Sequence, residues 1–156
     1  MKKLFSMLAL TLALTACGSD DDDTPSVDID SATVLKVTQI EFDNASHTFT
    51  FSLNDGAGLP VTGAENAKYK MMYLGHTPAT VTAFSVPWHH AVLCSAGFEV
   101  EGSCMGELKE KSLGNYSFTP DTVPTETWQN KRLAITIAGA LSQNKAEVII
   151  IDSNAS

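Results

Sequence analysis

Cys94 and Cys104 enclose nine residues (SAGFEVEGS), and the chain's only other thiol is Cys17. Two thiols this close can form a bridge or hold a metal. A bridge would close a short loop and contribute roughly 2–3 kcal/mol through the lost freedom of the unfolded chain. For a metal, His76, His89, His90, Met71, Met72 and Met105 lie in the same stretch as Cys94. Such soft ligands suit copper, whose blue sites need two imidazoles, a thiolate and a weak axial ligand converging on one point. Adjacent His89 and His90 on a strand would face opposite sides, so only one could enter such a site. The Cys–His–Met grouping that cupredoxins carry near the chain end is absent. The residues therefore predict a Cys94–Cys104 disulfide and no metal site, with metal ligation as the rival use of the same thiols.

Other chemistry finds no foothold. No G-x-S-x-G elbow is present, no Ser or Cys has a base and orienter at a telling spacing, and no glycine-rich phosphate loop occurs. No C-x-x-C-H occurs either, so the sequence lacks the ordinary attachment site for covalent haem c. The expectation is a non-enzyme with no catalytic residue and no cofactor of its own.

The bridge depends on export, and the N-terminus supplies the case. Lys2 and Lys3 precede the apolar run Leu4 to Leu14, which only Ser6 and Thr11 interrupt. A membrane span needs about 20 apolar residues, whereas a secretory h-region is about this short. Leu14-Thr15-Ala16-Cys17 then resembles the bacterial lipobox, which implies lipidation of Cys17 and removal of residues 1–16. Buried methylenes contribute about 0.8 kcal/mol each, and a second acyl chain makes attachment stable. Gly18 stands where Asp would resemble an inner-membrane retention signal, so the expected location is the outer membrane, on its periplasmic or extracellular face. Export also places Cys94 and Cys104 where disulfides persist.

Residues 17–32 read as the lipidated Cys followed by an acidic tether containing Asp20-Asp21-Asp22-Asp23. Its self-repulsion and lack of apolar mass predict an extended spacer. The Asp run lacks the alternating ligands, glycine turn and distal Glu of an EF-hand. Loss of residues 1–16 takes the formal charge from −8 to −10. Phosphate backbones repel such a chain, so nucleic acid is excluded as a partner.

Residues 33–156 must then form the domain that positions the cysteines. Val34 to Phe42 is rich in β-branched residues, and Asp43-Asn44-Ala45-Ser46 supplies a turn. Thr48 to Leu53 places Phe49, Phe51 and Leu53 on one face, completing a hairpin. Further strands are expected at Tyr69 to Leu74, Tyr116 to Thr119, Arg132 to Ala138 and Ala146 to Ile151, with Gly75 to Lys111 reading as an insert-like region between strands. Several short strands without a helical period predict an all-β antiparallel sandwich or small barrel. A chain of this size buries well over half its unfolded surface, enough for a core without metals.

The order of several short motifs resembles one family. Ile40-Glu41-Phe42-Asp43-Asn44, Thr48-Phe49-Thr50-Phe51, Leu59-Pro60-Val61-Thr62-Gly63 and Gly114-Asn115-Tyr116-Ser117-Phe118 follow the order of the N-terminal haem-free domain of OmcA/MtrC-type outer-membrane decahaem cytochromes. The lipobox and acidic tether fit as well, and the resemblance covers about Thr33 to Ile151. It implies a Greek-key split barrel at the cell surface beside multihaem domains. With no haem motif here, it implies a β-module related to extracellular electron transfer, standalone or truncated, with outer-membrane cytochrome or porin components as expected partners. Some proteins of this type carry a closely spaced Cys pair in another β-domain, linked to redox control of flavin binding. The alternative function is a cell-surface binding or adhesion module.

Overall fold

The computed structural model describes residues 24–76, 90–98, 100–122, 130–146 and 148–151, with only the backbone of residues 76, 90, 130, 150 and 151. The strands there, in chain order, are β1 (Val27–Asp28), β2 (Lys36–Phe42), β3 (Phe49–Asn54), β4 (Val61–Thr62), β5 (Lys68–His76), β6 (His90–Ala96), β7 (Gly106–Ser112), β8 (Asn115–Pro120), β9 (Asn130–Ala138) and β10 (Val148–Ile151). A short 3-10 turn, Ala64–Asn66, is the one helical element among the described residues.

The hairpin forms where the turn chemistry is. Asp43 accepts hydrogen bonds from the Ala45 amide (2.8 Å) and the Ser46 hydroxyl (2.8 Å), closing an Asx turn between β2 and β3. Alternation then drives Phe49, Phe51 and Leu53 inward, each at most 2% exposed. Strand β8 runs antiparallel to β3, setting Phe118 opposite Phe49 and Tyr116 opposite Phe51. The ring centroids of these pairs lie 5.3 and 5.6 Å apart. Directly opposed aromatic pairs of this kind are the units that stabilise a sheet.

Two four-stranded antiparallel sheets result, ordered β2-β3-β8-β7 and β10-β9-β5-β6. Lettered along the chain, with two-residue β1 and β4 left aside, these are A-B-E-D and G-F-C-C′, the strand order of an immunoglobulin-type Greek-key sandwich. The Greek-key sandwich expectation holds, and the sheets do not close into a barrel. Tyr69, Met71, Tyr73, Leu133, Ile135 and Ile137 of the second sheet meet the aromatic face of the first in a continuous core. Tyr116 ties this core to the connection between the sheets. Its hydroxyl donates to the Val61 carbonyl (2.7 Å) and accepts from the Ala64 amide (3.3 Å).

Two expectations require correction. The folded part starts before residue 33: β1 pairs in parallel with β4, and Ile29 (4% exposed) and Ala32 (1%) are core residues. Gly139 lies so close to the Ile29 backbone that a Cβ there would strike its carbonyl. Isolated apolar residues among aspartates carry no periodic signal, so composition alone assigned them to the tether. The Gly75 to Lys111 region is not an insert throughout either, because β6 lies inside it and β7 begins there. The sequence of β7 (GELKEKS) buries only Leu108, as an edge strand does.

Candidate interaction surface

The two outer faces of the sandwich differ in chemistry. On the first sheet, Glu41, Thr50, Ser117 and Lys109 form one cross-strand row. Ser52 faces Asn115 and Thr119 faces Glu107. These side chains are polar, as expected for a sheet face turned to water. The Glu107–Lys109 ion pair (2.8 Å) is more than half exposed and contributes little.

The second sheet departs from that pattern. Val148, Ala134, Met72 and Leu93 stand side by side in one row across β10, β9, β5 and β6. Leu74, between Arg132 and Ala91, extends the apolar patch into the next row. Lys70 stands between Thr136 and Ser95 and lies 4.3 Å from the Phe98 ring centroid, while Lys68 faces Ala138. Among the described outward side chains of this sheet there is no carboxylate, although the chain has 18 acidic and 10 basic residues. Val148 is 53% exposed, and Met72, Leu74 and Leu93 are half-buried. Strands apolar on both faces are those covered on both sides. An apolar centre flanked by Lys68, Lys70 and Arg132 suits a partner with an apolar centre and an acidic rim.

The cysteines close one side of the sandwich. Cys94 on β6 is fully buried and is disulfide-bonded to Cys104, just before β7, with 4.3 Å between the Cα atoms. The Cys104 amide donates to the Leu93 carbonyl (2.8 Å), and the Ser95 amide donates to the Cys104 carbonyl (3.1 Å). This short added rung covers the outer edge of β6, which would otherwise offer unpaired amides to other chains. Replacing both cysteines by serine should lower the unfolding free energy by about 2–3 kcal/mol. Urea denaturation with and without reductant measures it, and an unchanged midpoint would deny the bridge any role in stability.

Among the described residues the soft ligands do not gather. Met71 is fully buried in the core, Met72 faces outward, Met105 is 63% exposed, and Cys94 is engaged in the bridge. Among the described residues no three of His, Cys, Asp and Glu are grouped to hold a metal ion. His89 and Cys17 lie outside the described residues, and the side chains of His76 and His90 are not described.

His47 was not singled out by sequence, because a lone His after a turn carries no pattern. It sits at φ +54°, edge-on to Phe42 with ring centroids 6.0 Å apart. Its buried Nδ1 has no hydrogen-bond partner among the described residues. Desolvation, reinforced by the Lys131 ammonium, lowers its pKa below the ordinary 6.5, against a smaller raising effect of Asp43. The unfolded chain therefore takes up a proton that the folded state resists. Stability should be retained above about pH 6.5 and fall as pH drops through that value toward the folded pKa. Urea midpoints between pH 7.5 and 5.5 should decline, and His47→Asn, which tolerates the positive φ, should flatten that slope. An equal decline in the variant would assign the effect elsewhere.

No protein-family model and no curated protein matches the chain. Among solved structures, the outer-membrane decahaem cytochrome OmcA is similar at TM-score 0.52 and 14% identity, over 82% of this chain and 24% of that one. MtrC from Shewanella baltica OS185 is similar at TM-score 0.46 and 16% identity, over 78% and 22%. The chain thus spans about a quarter of OmcA, and its β-sandwich resembles part of that cytochrome.

Proposed function

We propose that this chain is a lipid-anchored, outer-membrane β-module that docks a cytochrome partner without carrying electrons itself. The observation that carries this reading is the outer face of the β10-β9-β5-β6 sheet, apolar in the middle and cationic at its flanks on an otherwise acidic chain. The fold shared with part of a decahaem cytochrome supplies the partner class, and the absence of C-x-x-C-H in the sequence removes covalent haem from this chain's own contribution. Lipidation of Cys17 would hold the module at the outer membrane. Lys68, Lys70 and Arg132 would orient an acidic partner surface, while Met72, Leu93 and Val148 would supply the area removed from water.

A photo-reactive residue placed at Leu93 in cells should form an adduct that still stains for haem after denaturing electrophoresis. The same residue at Thr50, on the polar sheet, should form none. No adduct at Leu93, or equal adducts at both positions, rejects the docking face. An adduct without haem keeps the face and rejects the cytochrome partner.

A further inference from the structure

The side of the sandwich opposite the disulfide is open. There β2 and β10, each the outermost strand of its sheet, flank a cleft of about 340 Å³. That volume falls in the range of about 300–1,000 Å³ typical of small-molecule sites. Leu35, just before β2, and Val37 and Ile40 on it wall one side, and Ile135 and Ile149 of the second sheet wall the other.

Its polar groups are of two kinds. Asn144 is engaged with the backbone: its Oδ1 accepts from the Ile137 amide, and both Nδ2 hydrogens are donated, to the Ile135 (2.9 Å) and Lys145 (3.3 Å) carbonyls. Thr38 Oγ1 donates to Asn54 Oδ1 (3.2 Å). The described side chains left to meet a ligand are Lys36 and Lys145, and none of the described lining residues is acidic. Neither ammonium is ion-paired to another described residue. An added peptide strand fits poorly, because β2 carries a bulge between Thr38 and Glu41, with Gln39 at φ +50° breaking the edge.

We infer that this cleft binds a small amphiphilic carboxylate, its alkyl chain between the two sheets and its head group between Lys36 and Lys145. The site is separate from the docking face, which lies on the outer side of the second sheet, and neither reading requires the other.

Titration of the purified domain with decanoate, followed by calorimetry and amide NMR shifts, tests this. Saturable one-to-one binding with shifts at Val37, Ile40 and Ile149 is expected. Decanol should bind about tenfold more weakly, and so should decanoate to the Lys36→Glu/Lys145→Glu variant. Val37→Trp, which fills the cleft, should abolish binding, with circular dichroism confirming that both variants fold. Equal affinity for decanol, unchanged affinity in the lysine variant, no saturable binding, or binding only to anionic phospholipid vesicles would each overturn the inference.

Discussion

Phe118→Ala should lower the unfolding free energy by about 3–5 kcal/mol, a large share of the roughly 5–15 kcal/mol that holds a small domain folded. The ring is fully buried and packs on Phe49 (5.3 Å between centroids) and on Tyr69 (5.5 Å), joining the two sheets. It also fills the space that Gly106 leaves, where a Cβ would collide with it. Truncation loses burial and leaves a cavity that rigid strands on both sides cannot collapse to fill. Phe118→Leu keeps most of the volume and should cost less than about 1.5 kcal/mol. Urea denaturation monitored by circular dichroism reads both. A loss under about 1 kcal/mol for the alanine variant would mean that the aromatic cluster is not the core of the sandwich.

Cys17→Ser should move the protein from the membrane fraction to the soluble fraction and abolish incorporation of labelled fatty acid. Under the proposed anchoring, acyl chains supply the whole attachment, at about 0.8 kcal/mol per buried methylene, so removing the thiol that carries them removes it all. The folded domain should be unaffected, because the first paired residue among those described is Val27. Fractionation and urea denaturation of the same variant separate the two effects. Membrane retention with no acyl label would place the attachment elsewhere, on the domain surface itself.

The strands that could be read from sequence are those whose alternation is strict. Thr48 to Leu53 and Arg132 to Ala138 put every second apolar side chain on one face, and the structure buries Phe49, Phe51, Leu53, Leu133, Ile135 and Ile137 there. Alternation fails as a signal where few inward residues are apolar. Strand β7 offers only Leu108, and β1 is two residues held by a parallel partner. The cysteine pair was legible for a similar reason, since a bridge across a short loop is a local property. The proposed docking face was only partly so. The run Lys70-Met71-Met72-Tyr73-Leu74 departs from alternation, but that alone does not show that Met72 joins Val148, Ala134 and Leu93 in one row.

Local chemistry in the sequence determined the class of the fold, its first hairpin, its short cysteine loop and its acidic balance. Each follows from residues a few positions apart, whose turn preferences, periodicity or charge act without reference to distant parts of the chain. Tertiary structure alone decided that β8 lies against β3 and β9 against β5, which are pairings between strands far apart in the chain. Those pairings assemble the apolar outer row from four strands, and among the described strands they leave β2 and β10 at the edges with a cleft between them. Alternation says that a side chain faces one side of its own strand. Which neighbours share that side depends on register and sheet order, set by how all the buried rings pack at once.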